Sequence, residues 1–136
     1  MSKLSDFLHP VQGVQTRDVV ISERFVSEDG NPAPFTIRPV SEEENQAIRR
    51  ACTMKRRDRS GTVVSEFNGN LYAIKMVIAG TVMPDFSAKE LCDAYKTNDP
   101  AEVPGRMLLA GEFGRLSDAI AELSGFSDNV EEQAKN

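Results

Sequence analysis

The most apolar part of the chain, the stretch 69–83, has the pattern of a buried helix. Its apolar side chains recur at helical spacing along two faces, with Leu71, Ile74, Ile78 and Val82 on one and Tyr72, Met76, Ala79 and Met83 on the other. Asn68 or Asn70 can cap its start, and Pro84 ends it because proline has no amide hydrogen. The stretch is shorter than the roughly 20 apolar residues that cross a bilayer, so a core helix is predicted.

Two segments earlier in the chain, 17–26 and 34–40, alternate in a way that predicts β-strands. Each places its apolar residues on one face, Val19, Ile21 and Phe25 in the first segment and Phe35 and Ile37 in the second. Turn-forming residues separate the segments, with Asp29 and Gly30 as a hairpin signal. Because an isolated two-stranded hairpin is only marginally stable in water, we expect its apolar face to lie on helices.

Capping residues and prolines mark the starts of further helices. Capping boxes occur at 41–44 and 87–90, where a serine and a glutamate three residues later can each accept a hydrogen bond from the other's amide. Asp99 can cap another turn, but Pro104 interrupts it, which predicts a short turn and a helix that restarts at Pro104. A last helix is predicted from Glu112, on the stripe formed by Phe113, Leu116, Ile120 and Leu123.

Together these elements predict the α+β fold class, with an N-terminal antiparallel β-hairpin packed on a bundle of about four or five short helices. Residues 1–126 are predicted to form a single domain, with 1–16 as an N-terminal arm and 127–136 as an acidic C-terminal tail. Gly125 is the expected left-handed end of the last helix. Six apolar residues are expected in one core: Leu71, Ile74, Ile78, Leu91, Leu116 and Ile120.

The segment 54–68 is predicted to be a mobile loop, although it is rich in basic residues. It contains Gly61 and four cations, Lys55, Arg56, Arg57 and Arg59. Such a segment is either a patch for nucleic acid or another anionic partner, or a solvated loop. The lack of aromatic residues before Phe67 and the net charge of -5 favour the loop. Residues 62–67 within it could form a short third strand or one limb of an arm.

Composition adds two limits to this organisation. The chain of 136 residues is 40% hydrophobic and 27% charged, which is typical of one globular domain. Its charge is uneven, because residues 1–84 contain 11 Lys+Arg and 10 Asp+Glu, whereas residues 85–136 contain 5 and 11. The acidic second part argues against a general nucleic-acid binder.

Catalytic and metal-binding chemistry is not indicated by the sequence. His9 is the single histidine, and Cys52 and Cys92 lack the spacing of a zinc site or a redox pair, so free thiols in a reducing compartment are expected. No phosphate-binding, dinucleotide or hydrolase motif is found. The N-terminus lacks the apolar run of a secretory signal. We therefore expect a cytoplasmic binding protein that is not an enzyme, has no cofactor and does not enter a membrane.

A partner-binding site is predicted where the helices are interrupted. Four apolar residues lie near the breaks at Pro84 and Pro104: Met83, Phe86, Met107 and Leu108. Apolar side chains on short, interrupted elements are harder to bury than those on a full helical stripe, and methionine adapts to partners of different shape. The alternative is that all four close the end of the core.

The order of these landmarks resembles that of a known family. The segments FTIRPVSEEE at 35–44, PDF at 84–86, LCDAY at 91–95 and MLLAGEF at 107–113 follow one another as in the XkdN-like family of phage tail assembly chaperones. The similarity extends over nearly the whole chain.

The resemblance implies a role in building the tail of a phage or of a prophage-encoded particle. Such a chaperone binds the long tape measure protein, keeps it soluble while the tail tube assembles in the cytoplasm of the bacterial host, and is absent from the finished particle. The tail tube protein is a further candidate partner. Two alternatives are a small structural protein that completes or connects the tail, and a regulatory DNA-binding domain that uses Arg49 to Arg59.

Overall fold

The computed structural model describes residues 1–13 and 15–126, so the predicted tail 127–136 lies outside the described residues. Within them the α+β fold class is confirmed, with five α-helices and two small antiparallel sheets. The strands are β1 (Arg17–Val19), β2 (Phe35–Ile37), β3 (Thr53–Arg57), β4 (Val63–Phe67) and β5 (Thr81–Met83). The helices are α1 (Glu42–Ala51), α2 (Gly69–Gly80), α3 (Lys89–Ala94), α4 (Val103–Met107) and α5 (Ala110–Leu123). Short 3-10 turns cover Leu4–Phe7 and Pro100–Glu102.

The predicted N-terminal hairpin is confirmed, and it forms part of a three-stranded sheet. β1 and β2 pair antiparallel with Arg17 opposite Ile37, and β5 pairs with the other edge of β2. Phe35 and Ile37 point into the core, where they are 2% and 0% exposed. The predicted helix 69–83 is therefore wrong at its end, because Thr81, which is β-branched and suited to a strand, begins β5 opposite Ile37.

Helix α2 begins as predicted but buries only part of its apolar surface. The Asn68 Oδ1 atom accepts a hydrogen bond of 3.0 Å from the Leu71 amide and caps the helix. Its buried residues are Met76, Val77 and Gly80, whereas Leu71 and Ile74, which we expected in the core, remain partly exposed. The helix is apolar on most sides but is buried along one of them, where it packs on α5.

The core is centred on the contact between α2 and α5. A Cβ atom placed on Gly80 would lie 2.4 Å from the Cγ2 atom of Ile120, so only glycine permits this close approach of α2. Leu116 and Ile120 are 0% and 1% exposed, as predicted. Ile78 and Leu91 are partly buried against the same core.

One of the two predicted capping boxes is present. In the box 41–44, the Ser41 Oγ atom accepts from the Glu44 amide and Glu44 Oε1 accepts from the Ser41 amide, both at 3.2 Å. The box 87–90 is wrong, because the Ser87 amide donates instead to Asp85 Oδ1 at 2.9 Å. Helix α3 consequently starts at Lys89 after an uncapped Ala88.

The C-terminal elements follow the predicted breaks. Asp99 Oδ1 accepts from the Ala101 amide at 3.0 Å, and after this one turn α4 restarts with Pro104 in its first turn. Helix α5 starts at Ala110, two residues before the predicted start. Gly125 has a φ of 91°, which confirms the left-handed end of α5.

The segment 54–68 contains a β-hairpin, so its interpretation as a loop is wrong and the alternative strand at 62–67 is correct. β3 and β4 pair in a regular register from Thr53 opposite Phe67 to Arg57 opposite Val63. The Asp58 carboxylate closes the tip by accepting hydrogen bonds from the Ser60 and Thr62 amides. Polar bonds at the turn stabilise this hairpin, and its almost entirely exposed strands leave no apolar stripe in the sequence that would indicate it. Its mobility remains a prediction.

Candidate partner-binding surface

The four residues predicted to bind a partner lie in two different environments. Phe86, Met107 and Leu108 are only 1%, 8% and 8% exposed and belong to the core. Met83, at the end of β5, is 60% exposed. The expectation that all four are poorly buried is therefore wrong for three of them, and the structure does not gather the four into one exposed patch.

An ion pair between distant segments stabilises the region of the predicted breaks. The Arg24 guanidinium donates to both carboxylate oxygens of Glu112, at 2.9 and 2.5 Å, and to the Met107 carbonyl oxygen at 3.0 Å. Glu112 is 3% exposed, and its carboxylate also accepts from the Leu109 amide at 2.7 Å. The junction between α4 and α5 is thereby connected to the segment that joins β1 and β2.

The surroundings of Glu112 keep it ionised. Hydrogen bonds from Arg24, from the Ser22 hydroxyl and from the Leu109 amide lower the pKa of Glu112 to about 2. The same pair raises the pKa of Arg24. Arg115 adds a second connection, because its Nε atom donates to the Ile21 carbonyl at 3.0 Å. The residue types at 24 and 112 do not reveal this pair in the sequence, since the two lie 88 positions apart.

An open apolar groove of about 760 Å³ lies between α2, α4 and the start of α5. We call it the α2–α4 groove, and its principal lining residues are Ala73, Ile74, Pro104, Leu108, Ala110 and Phe113. At its rim Arg106 pairs with Glu102 at 2.8 Å and also donates to the Tyr95 and Lys96 carbonyls. Leu108 is thus a buried residue of the predicted set that also lines this concave surface.

The shape and apolar lining of the α2–α4 groove suit part of an amphipathic helix. A helix inserted into such a groove presents apolar residues spaced three and four apart. Sequence reasoning missed the groove because it placed Ile74 in the core. The signal was present in the helix 69–83, whose apolar surface is wider than one neighbouring helix can cover.

The β3–β4 hairpin is the second prominent surface. Every side chain of β3 is exposed, and in β4 only Val64 is partly buried. Met54, Val63 and Phe67 are 70%, 54% and 45% exposed. At the base of the hairpin, the Phe67 and Tyr72 rings lie 5.6 Å apart, and the Arg49 guanidinium lies within 6 Å of both.

The remaining features carry less information about function. The N-terminal 3-10 turn exposes Leu4, Phe7 and Leu8, and none of its residues is buried. Cys52 and Cys92 are free and buried. In residues 1–13 and 15–126 we find no cluster of His, Cys, Asp or Glu side chains arranged to bind a metal ion. Over the same residues, no helix has the length and hydropathy needed to cross a membrane.

The chain is similar to known proteins over nearly its whole length. Residues 4–136 match the family described as "Phage XkdN-like tail assembly chaperone protein". Protein XkdN of the phage-like element PBSX of Bacillus subtilis (strain 168) is 32% identical, and the match covers 96% of this chain and 92% of XkdN. YqbN from the same strain is 34% identical over 96% of this chain and 91% of its own length.

The fold agrees with these similarities. The crystal structure of YqbN superposes with a TM-score of 0.73 at 30% sequence identity, covering 93% of this chain and 99% of that one. The sequence match and the structural match therefore each extend over nearly the whole chain. The chain belongs to the phage XkdN-like tail assembly chaperone family.

Proposed function

We propose that this protein binds the tape measure protein of a phage or phage-like particle, keeps it soluble while the tail tube assembles, and is absent from the finished particle. The observation that carries this proposal is the family match over residues 4–136. XkdN, a protein of the phage-like element PBSX, is a relative over nearly the whole chain.

The surface supports such a role physically. The α2–α4 groove offers apolar contacts to a helix, while a net charge of -5 opposes aggregation of the chaperone itself. A partner chain that is soluble only when its apolar face is covered gains most from such a groove. We further propose that the protein acts without catalysis and in the cytoplasm of the bacterial host.

We propose different roles for the four predicted residues. We propose direct contact with the partner for Leu108, in the α2–α4 groove, and for Met83, whose side chain is exposed. For Phe86 and Met107 we propose an indirect effect, because truncating either buried side chain would first destabilise the core.

Co-expression tests the proposal directly. The tape measure protein encoded by the same genome is produced with and without this chain, and its soluble fraction is measured together with its co-purification. We expect the chaperone to raise the soluble fraction and to be missing from purified particles. Recovery of the protein in finished particles would support a structural tail protein instead. The tail tube protein, the second predicted partner, is assayed in the same way.

Two matched variants test the groove. Ile74→Gln places a polar amide in the α2–α4 groove, whereas Leu71→Gln makes the same kind of change on α2 at a partly exposed position outside both groove and core. We expect Ile74→Gln to reduce capture of the tape measure protein, and Leu71→Gln to leave it unchanged. If both variants capture the tape measure protein as well as the wild type does, the groove is excluded as the contact surface.

A further inference from the structure

The β3–β4 hairpin is ordered by polar interactions and buries little apolar surface. Its tip is closed by the Asp58 carboxylate, and its base by a 2.8 Å hydrogen bond from the Asn68 amide to the Cys52 carbonyl. Because its strands contribute almost no side chain to the core, the exposed Met54 and Val63 side chains add little apolar burial to the folding free energy. Exposed apolar residues on a projecting element are typical of a contact surface.

The charges on this hairpin are unbalanced. Residues 53–67 contain four basic and two acidic residues in a chain whose net charge is -5. Arg56 pairs with Glu66 at 3.0 Å. Within the described part of the chain, Lys55, Arg57 and Arg59 form no salt bridge with a carboxylate. The strand register places Lys55 and Arg57 on one face, together with Val63 and Phe67.

The hairpin also adjoins the α2–α4 groove. A hollow of about 440 Å³ at its base is lined by Met54, Glu66, Phe67 and Asn70, among others. Asn70 lines both this hollow and the α2–α4 groove. Phe67, which also lines the hollow, lies on the same face of the hairpin as Lys55 and Arg57, whereas Met54 and Glu66 lie on the opposite face. A segment lying in the groove can therefore continue past the start of α2 to Phe67 and from there onto the face that carries Lys55 and Arg57.

We propose that the β3–β4 hairpin is a second docking element for the partner segment that occupies the groove, and that this segment is an amphipathic helix whose apolar face is flanked by carboxylates. The inference rests on the proposed function and specifies the chemistry of the partner. Three cations without a carboxylate would be costly to cover with a purely apolar surface, so the occupant supplies the opposite charge. Val63 and Phe67, the exposed apolar residues on the same face as Lys55 and Arg57, contact the apolar face of this helix.

Synthetic helical peptides test this chemistry without the natural partner. Two peptides share the same leucine face, and one carries glutamates at the flanking positions where the other carries lysines. Binding is measured at low and high NaCl for the wild type, for Lys55→Glu/Arg57→Glu, and for Lys3→Glu/Lys89→Glu, which makes the same charge change at exposed positions outside the hairpin.

We expect the wild type to bind the glutamate peptide about tenfold more tightly than the lysine peptide at low salt, because opposite charges attract most strongly when screening is weak. This preference should disappear in Lys55→Glu/Arg57→Glu and persist in Lys3→Glu/Lys89→Glu. An equal preference in both double variants would overturn the proposal. Tighter binding of a DNA duplex than of the glutamate peptide would overturn it in favour of nucleic acid. A wild-type dimer in light scattering that only the hairpin variant dissociates would overturn it in favour of a second copy.

The tape measure protein separates this inference from the proposed function. If the wild type fails to capture it, the proposed function and the inference that rests on it are both overturned. If the wild type captures it and Lys55→Glu/Arg57→Glu captures it equally well at low salt, only the role of the hairpin is overturned. We expect the hairpin variant to lose affinity by about tenfold at low salt and by less at high salt, because salt screens exposed charges.

Discussion

The α2–α5 contact and the β3–β4 hairpin are both regular structures, but different forces stabilise them. At the contact, Gly80 lies against Ile120, and the surrounding side chains are almost completely buried. In the hairpin, the side chains are exposed and the backbone ladder is closed by bonds to Asp58. Apolar burial stabilises the first region, and hydrogen bonds with a well-formed turn stabilise the second.

This difference separates the parts of the chain that fold the protein from those available for binding. Substitutions at the α2–α5 contact should change stability strongly, because a close-packed core cannot relax around them. Substitutions in the hairpin should change stability little, so that their effects on binding can be measured in a folded protein.

The largest expected effect is that of truncating a core isoleucine. Ile120→Ala should lower the free energy of unfolding by about 2 to 5 kcal/mol, through lost burial and the cavity left between α5 and α2. Ile78→Ala makes the same change at a partly buried position and should cost less. Chemical denaturation measures both, and an equal loss would mean that the α2–α5 contact is not the centre of the core.

The next effect comes from adding one methyl group. Gly80→Ala should lower the free energy of unfolding by about 1 to 3 kcal/mol, because the added Cβ meets the buried Ile120 side chain and forces the helices apart. Gly114→Ala, inside α5, has no atom within 4 Å of the new Cβ. It should raise stability by about 0.4 to 1 kcal/mol by reducing the freedom of the unfolded chain. Stabilisation by Gly80→Ala would contradict the close approach.

The Arg24–Glu112 pair predicts a dependence of stability on pH. The pKa of Glu112 is about 2 in the folded protein, whereas a glutamate without these partners, as in the unfolded chain, has a pKa of about 4.5. The folded state therefore favours the ionised form of Glu112, and ionisation of this residue stabilises the fold. This stabilisation is present above about pH 4.5 and is lost as the pH falls towards 2. Glu44, whose pKa the Arg38 guanidinium lowers to about 2, adds a contribution with the same sign.

Glu112→Gln isolates the contribution of this pair. The variant should melt at a lower temperature than the wild type at pH 7, and the difference should narrow between pH 4.5 and pH 2. Glu122→Gln, an exposed change on the same helix, should leave the pH dependence as in the wild type. If the difference in melting temperature between Glu112→Gln and the wild type stays constant from pH 4.5 to pH 2, the ion pair is not the cause of that difference.

The smallest effect on stability is expected in the hairpin. Val63→Ser should change the free energy of unfolding by less than about 0.5 kcal/mol in chemical denaturation, because this side chain is exposed and leaves no cavity.

Limited trypsin digestion should cut first after one of the basic residues 55–59, since opening the hairpin leaves the core intact. Earlier cleavage after Lys75 in α2 would contradict the expectation that the hairpin opens more easily than the α2–α5 core.

Local patterns were sufficient for much of the fold. Asn68, the box at 41–44 and Gly125 each act within a few residues, so propensity and hydrogen-bonding chemistry identified them. The box at 87–90 shows the limit of this reasoning. Asp85 competes for the Ser87 amide, and the choice between the two carboxylates depends on the path of the preceding chain.

The candidate binding site was less predictable because it depends on which apolar residues the fold leaves uncovered. Ile74 and Met107 are both apolar residues in short or medium helices, yet Ile74 lines the α2–α4 groove and Met107 is buried. Met107 belongs to a core cluster with residues that are distant in sequence, such as Ile21 and Phe35. Such contacts leave no periodic signal.

The amino-acid sequence by itself determined the fold class, the family resemblance, the N-terminal hairpin and the α5 stripe of Leu116 and Ile120, because these follow from short-range periodicity and from the order of motifs. Only the tertiary structure decided that α2 ends in strand β5, that 54–68 is a hairpin, and that the apolar groove lies beside Ile74. These outcomes depend on which surfaces meet. A side chain's burial is set by partners that the rest of the chain brings to it, whatever its own hydrophobicity.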